Sequence, residues 1–475
     1  MRITQNCLLF TEEQQITKRI NISLACVWLP ILLLSQLALA DQAVMLPQGG
    51  NPQAMVHANE TPPEILALED AVALALSDNL ALAAMQARAR ALAEVPSQVG
   101  TLPDPTISLN ALNVPTDTFS FSQEAMTQTQ IGIGLMLPFP NKLGLREQVA
   151  NFKAEAAEHD VAERHLMLVR SVRSSWWNLF YLDHALSLIQ RNRALLREFV
   201  KIAESKYKTG QGMQSDVLLA QVELSKLMDT EIALQASRRS QAAILNALLG
   251  RDAVREIRLP AHDAERLPAA PDVKTLTLFA QENRPLLNAF RKTVEAARSR
   301  VNLAGKAYYP DFKLGVAYGF RDGNNPDGSA RADLANLSLS MNLPIFSGSR
   351  QNKAVAQRRA EMQKNEYELQ DAQINVMAEI EQAIAEYQAA LEQASLFKTG
   401  IIPQANQTAS AMLSAYQVSR VDFLNLVRAQ VTLYNYETQY WKTISAAWQA
   451  WARLEGAVGK QIATSEPVTD KEKTQ

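Results

Sequence analysis

The sequence predicts a mainly α-helical chain with a small β part: long antiparallel helical hairpins and four short strands, laid out twice in the same order. Three observations carry this. Four stretches alternate apolar and polar side chains, the period-two signature of a strand with unlike faces. Helical patterns of unusual length surround them. The order helix, strand, loop, strand, long helix, turn, helix occurs in residues 64–258 and again in 273–460.

The clearest strand lies in Arg331–Pro344. Ala335, Leu337, Leu339, Met341 and Leu343 fall on one side, and Asn336, Ser338, Ser340 and Asn342 on the other. About nine or ten such residues is the length of a strand that crosses a membrane at a tilt. A soluble sheet with one buried face would share this pattern.

The chain has 475 residues, with 47 basic against 49 acidic side chains. That balance gives no electrostatic footprint for nucleic acid. Lys18 and Arg19 precede an apolar run, Ile20–Leu34, and Ala38-Leu39-Ala40 offers a small-x-small cleavage site before Asp41. Residues 1–40 therefore read as an export signal, with an uncleaved anchor as the other reading. Both cysteines, Cys7 and Cys26, fall inside it. The exported chain then has neither a disulfide nor a thiolate metal site.

Residues 41–63 hold Gly49-Gly50 and Pro62-Pro63 and read as an extended leader. A helix is expected from Glu69 to about Val95. Pro103 and Pro105 stop it. Ile107, Leu109 and Ala111 alternate with Thr106, Ser108 and Asn110; Ile131, Ile133, Leu135 and Leu137 alternate with Gln130, Gly132, Gly134 and Met136. This is a strand, a loop and a strand. A helix from about Leu143 to Lys208 follows. About 60 helical residues would span roughly 90 Å, more than an ordinary globular core needs. Thr209-Gly-Gln-Gly212 is a turn, and a helix from Ser215 to Leu249 ends at Gly250.

Residues 259–272 hold three prolines and read as a connector. The order then restarts: a helix from Leu276 to Ala304, a strand from Phe312 to Arg321, the turn-forming Asp322–Gly328, the strand described above, a long helix from Ser349 to Ala415, a turn at Ser419-Arg420, and a helix from Asp422 to Val458. Residues 461–475 read as a disordered tail.

The duplication can be followed residue by residue. Asn79 matches Asn283, Pro103-Asp104 matches Pro310-Asp311, and Leu137-Pro138 matches Leu343-Pro344. Asp216 is matched with Asp422, and Tyr207 with Tyr416. This pairing makes the first turn three residues longer than the second. Four strands cannot close a barrel, and an open edge cannot face lipid. Closure must come from other copies; three chains would supply twelve strands. Gly132, Gly134, Gly315 and Gly319 would then lie on inner faces, where small residues leave space.

The repeat order, Leu102-Pro-Asp-Pro105, Leu137-Pro-Phe-Pro140 and the Tyr207-x-x-Gly210 turn with Asp216-Val-Leu218 resemble the TolC family of outer-membrane factors. Asn113-Val-Pro-Thr-Asp117, Gln123-Glu-Ala-Met-Thr127, Pro138-Phe-Pro-Asn-Lys142 and Tyr416–Leu424 resemble its heavy-metal branch, typified by CzcC. That branch usually carries Gly where this chain has Asn141 and Ser419. The resemblance implies a homotrimer with a twelve-stranded barrel in outer-membrane lipid and a helical tunnel through the periplasm. It also implies a periplasmic adaptor and a proton-driven inner-membrane pump as partners. The function it implies is passive export of heavy-metal cations, without catalysis or a cofactor. A type I secretion or multidrug duct of the same fold is one alternative, and a soluble periplasmic coiled-coil adaptor another.

By the same resemblance the two turns, with Tyr207, Gly210, Gly212, Asp216, Tyr416 and Ser419, face the adaptor. Asp422 and Asn425 border the periplasmic aperture. In a trimer Asp422 would form a ring of three carboxylates attractive to cations. It would equally serve as a helix N-cap, and capping is the favoured reading of Asp216. His159, Asp160, Glu163 and His165 cluster on one helix, but without i,i+4 histidine spacing they read as a solvated face rather than a metal site. Trp176, Trp177, Trp441, Trp448 and Trp451 read as seals between helices.

Overall fold

The computed structural model describes residues 65–462. The export signal, the leader, both cysteines and all but the first two residues of the tail lie outside the described residues.

The strands form where the alternation puts them: β1 (Thr106–Leu112), β2 (Gln128–Leu137), β3 (Phe312–Phe320) and β4 (Leu334–Met341). They make one antiparallel sheet in the order β1-β2-β3-β4. The two halves of the chain are therefore joined through β2 and β3. The register keeps like faces together. Ile107 lies opposite Ile133, Ile133 opposite Val316, and Val316 opposite Leu337. On the other face Ser108 lies opposite Gly132, Gly132 opposite Ala317, and Ala317 opposite Asn336. A Cβ on Gly132 would sit 2.9 Å from Ser108 Oγ and 3.0 Å from Ala317 Cβ. The glycine space on this face is therefore taken up by cross-strand neighbours within the sheet. At the far end, Arg331 donates to the carbonyls of Ser122, Glu124 and Asp322 at 3.0–3.1 Å, tying the two strand-connecting loops together.

The helices are α1 (Leu68–Asp78), α2 (Leu80–Ala93), α3 (Val95–Gly100), α4 (Lys142–Lys208), α5 (Gln214–Leu248), α6 (Val273–Asn283), α7 (Pro285–Gly305), α8 (Gln351–Leu396), α9 (Ile402–Gln417) and α10 (Phe423–Val458). None of the described helices is long and apolar enough to cross a membrane.

Three helices expected to be continuous are interrupted. The first breaks at Asn79, which caps α2 by accepting the Leu82 N–H at 3.0 Å and donates to the Leu248 carbonyl at 3.0 Å. The second breaks at Arg284, where Pro285 starts α7. The third holds a π-helical turn, Phe397–Ile401, just before Pro403. Proline has no N–H for the carbonyl four residues back, and its ring crowds that carbonyl. Widening the turn relieves both problems.

Arg284 is 2% exposed. A buried guanidinium is tolerated when its charge is paired; the two terminal nitrogens of Arg284 are paired, while its Nε has no hydrogen-bond partner. Arg284 donates to Glu379 at 2.9 Å, the Ala457 carbonyl at 2.8 Å and Glu163 at 3.1 Å. Glu163 also accepts the Leu286 N–H at 3.2 Å, capping α7. Glu163 is thus committed to structure, and no metal-type cluster of His, Cys, Asp and Glu occurs among the described residues.

The main core lies where α4 and α10 cross. Trp176 is 0% exposed, and Trp177 stacks on Trp448 at 4.9 Å between centroids. Trp176 Nε1 donates to the Leu66 carbonyl at 3.0 Å, and Trp448 Nε1 to the Ala264 carbonyl at 2.9 Å. Trp176 and Trp448 thus seal helices together and satisfy their one polar atom on backbone. The connector is consequently part of the core, with Ala264 buried and Leu267 packed beside it. Where helix meets sheet, Lys142 Nζ donates to Asp311 at 2.7 Å and to the Tyr309 carbonyl at 3.0 Å. Asp311 also accepts the Phe139 N–H at 2.8 Å. Pro138–Lys142 and Pro310-Asp311, two motifs from different halves, thus lock to each other.

Candidate functional site at the two hairpin turns

Both helical hairpins end in turns of one backbone design. In the first, Gly210 N–H donates to Tyr207 O at 3.0 Å and Gln211 N–H to Lys206 O at 2.8 Å. In the second, Ser419 N–H donates to Tyr416 O at 3.0 Å and Arg420 N–H to Ala415 O at 2.9 Å. Each is a helix C-terminus closed by a left-handed residue, Gly210 at φ +75° and Ser419 at φ +58°. Asn141, the other position where the heavy-metal branch has Gly, is also left-handed, at φ +70°. The backbone demand for positive φ persists here without glycine.

The turns span Thr209–Met213 and Val418–Asp422 and are equal in length. The sequence match of Asp216 with Asp422 is therefore corrected. Asp422 corresponds to Met213, since both are N-caps, and Asn425 corresponds to Asp216. The offset changes instead at the strand–helix junction, which is longer after β4 than after β2. Capping by Asp216 is also corrected: it lies inside the first turn of α5, whose N-cap Met213 makes no side-chain bond. Asp422 occupies the N-cap of α10, yet its carboxylate caps no backbone N–H. Asp422 and Asn425 are both exposed, while Phe423 and Leu426 between and beyond them are buried.

The turns meet through a residue that the sequence reading did not single out. Lys206 Nζ donates to Tyr416 O at 2.6 Å and to Ser419 Oγ at 3.0 Å, and sits 4.5 Å from the Tyr416 ring centroid. The matched position in the second half is Ala415, so Lys206 breaks the repeat; that was the available signal. Below it, Tyr416 and Phe423 pack at 5.2 Å with Phe199, Ala203 and Ala220. Burial, and then the Asp216 carboxylate, raise the Tyr416 hydroxyl above its ordinary pKa. Asp216 of one turn thus acts on Tyr416 of the other. Tyr207 is 49% exposed, whereas Tyr416 is 4% exposed. Gly210 stands in open space, and a Cβ on Gly212 would meet Lys206 Cβ at 3.0 Å.

Two repeats, one open sheet with unlike faces and two paired hairpin turns define a class of outer-membrane efflux proteins. The chain belongs to the outer membrane efflux protein family, whose model matches residues 71–251 and 279–460. It is similar to the cobalt-zinc-cadmium resistance protein CzcC of Cupriavidus metallidurans, with 22% identity over 83% of this chain and 90% of that protein. Among solved structures it resembles the outer-membrane channel OprN, at TM-score 0.70 and 18% identity over 82% of this chain and 89% of that one. It also resembles the outer membrane protein VceC of Vibrio cholerae, at TM-score 0.69 and 19% identity over 83% of this chain and 96% of that one. The matched family is one of outer membrane efflux proteins, and the fold is that of outer-membrane channels such as OprN.

Proposed function

We propose that this chain is the outer-membrane exit duct of a tripartite efflux system, passively conducting heavy-metal cations. The cations arrive through a periplasmic adaptor from a proton-driven inner-membrane pump. The observation that carries this reading is the open four-stranded sheet with one apolar face, one polar face and two bare edges. Open edges cannot stand in hydrocarbon, so the sheet must close with other copies, and three chains give a barrel of twelve strands. The apolar face then meets lipid and the polar face lines a wet lumen. The helical hairpins form the periplasmic tunnel, with the paired turns narrowing its entrance and meeting the adaptor.

The cargo reading draws on the likeness to CzcC and on Asp422. With no capping bond to hold it, the Asp422 carboxylate is available to form a threefold acidic ring, and Asn425 adds a neutral polar ring one helical turn on. Opening is a loosening of the contacts between the turns.

A strain lacking the chain should lose tolerance to zinc, cobalt or cadmium and keep its tolerance to antibiotics. The reverse pattern would replace the metal cargo with drugs. The protein should require detergent for release; release with the soluble periplasm would support an adaptor and defeat the duct. In planar bilayers, Asp422→Ala should lower cation selectivity and block by multivalent cations, and unchanged selectivity and block would remove Asp422 from the aperture.

A further inference from the structure

The π-helical turn between α8 and α9 forms one wall of a cavity of about 710 Å³, bounded elsewhere by the end of α8, the connector and α10. Leu267, Leu391, Leu396 and Ile444 give it apolar sides. Its polar groups are few and mostly acceptors: the carboxylates of Glu265 and Glu392, the Tyr440 hydroxyl and the backbone at Lys398. A largely apolar hollow with a few converging polar groups is the usual form of a small-molecule site. None of these residues belongs to the hairpin turns or to the sheet.

Three of the polar groups lack the partners they need. Tyr440 is 6% exposed, and its hydroxyl has no hydrogen-bond partner although the Glu265 carboxylate lies near it. A buried polar atom left unpaired is costly unless something else satisfies it. Glu392 is exposed and forms no ion pair with any described residue. The Lys398 carbonyl is the third. In an α-helix it would accept the Ile402 N–H, but that group donates to the Phe397 carbonyl instead. The next donor along the chain would be Pro403, which has no N–H. The wide turn therefore leaves its shortfall at Lys398.

The side chain of Lys398 shows what such a hollow accepts. It is the one cation lining the cavity, and its ammonium pairs with Glu265. The second carboxylate has no such partner. We propose that the cavity binds a small organic ammonium ion with an apolar body. The ammonium is set against Glu392 and the Lys398 carbonyl, and the hydrocarbon against Leu267, Leu391, Leu396 and Ile444. Charge-assisted hydrogen bonds to a carboxylate are the strong ones, and the apolar sides reward a hydrocarbon body. A metal ion would need a fuller shell of oxygen ligands than two carboxylates among leucines provide. The site is separate from the turns, so it stands or falls apart from the metal-cargo reading.

Phenethylammonium is the probe, titrated by calorimetry into the full-length protein in detergent. Phenethyl alcohol and phenylpropanoate carry a similar body with a neutral or negative head, and empty micelles give the partitioning background. Saturable binding of the ammonium, absent for the other two, supports the proposal. Glu392→Gln keeps the shape of the side chain and should weaken that binding about tenfold, the worth of one hydrogen bond to a charged group. Glu381→Gln, an exposed carboxylate on the same helix outside the cavity, should leave it unchanged. No saturable binding, or equal binding of the alcohol, overturns the proposal. So does an affinity that Glu392→Gln leaves as it was, or one that both variants weaken alike.

Discussion

The two hairpin turns share their length, their hydrogen bonds and their left-handed residue, yet they are not equivalent. The turn at Gly210 is built of small and polar residues: Tyr207 points to solvent, the N-cap is Met213, and Gln214 opens the next helix in solvent. The turn at Ser419 is anchored from below. Tyr416 and Phe423, the counterparts of Tyr207 and Gln214, are buried together, and Lys206 reaches across from the first turn to hold the carbonyl of one and the hydroxyl beside it. Duplication supplied one backbone, and later side-chain choice made one turn a support and the other a supported element. In the duct proposed above, opening by loosening contacts between the turns would release the Lys206 bonds.

The comparison breaks most severely at Phe423. It is 0% exposed, and truncation to alanine leaves a cavity between four helices. Phe423→Ala should reduce the local unfolding free energy at the second turn by about 3–5 kcal/mol. Gln214→Ala, at the matched position, should change it by less than about 0.5 kcal/mol. Hydrogen exchange of the backbone amides from Val418 to Val427 for Phe423→Ala, and from Thr209 to Leu218 for Gln214→Ala, measures each at its own turn. Equal effects at the two sites would show that the turns are energetically alike.

Lys206 is the next largest. Its ammonium donates two hydrogen bonds across the turns, and a bond involving a charged group is worth about 1.5–3 kcal/mol. Lys206→Met keeps the apolar stem and removes the donors. Amides from Ser419 to Phe423 should exchange faster by an amount matching that energy, while those of Gly210–Met213 stay as they are. Conductance in planar bilayers should rise in the same variant. A faster-exchanging second turn without added conductance would leave Lys206 as a structural brace only.

The sequence made the β part and the existence of the turns readable for a physical reason. A strand with unlike faces writes period two into the chain, and a helix reversal needs a left-handed residue, which Gly210 advertises. The duplication then exposed Ser419 as the second such place. Helix interruptions were less legible. Asn79 and Pro285 carried local signals, a cap and a helix start, but the helical pattern runs on across both, and the Leu248 and Glu163 partners that fix the breaks are distant in sequence. Pro403 was a local signal, but its outcome, a wider turn rather than a stop, depended on the helix continuing on both sides. At the turns, matching identical letters aligned Asp216 with Asp422, whereas the backbone aligns Asp422 with Met213. Lys206 shows no chemistry of its own in sequence; its role exists only because the second turn lies within reach.

The smallest effect sharpens the comparison most. Ser419 occupies a left-handed position at φ +58°, where its Cβ costs about 1–2 kcal/mol relative to glycine. Its hydroxyl accepts from Lys206 at 3.0 Å, a partial offset. Ser419→Gly should therefore stabilise the second turn by about 1 kcal/mol or somewhat less, and Gly210→Ser, with no lysine to meet, should destabilise the first by about 1 kcal/mol. A double-mutant cycle with Lys206→Met separates strain from bond. If the serine is kept for its bond, the gain from Ser419→Gly should grow once the lysine donor is gone. An unchanged gain would assign the serine no share in holding the turns together, and the support of the second turn would rest on the Tyr416 carbonyl and ring alone.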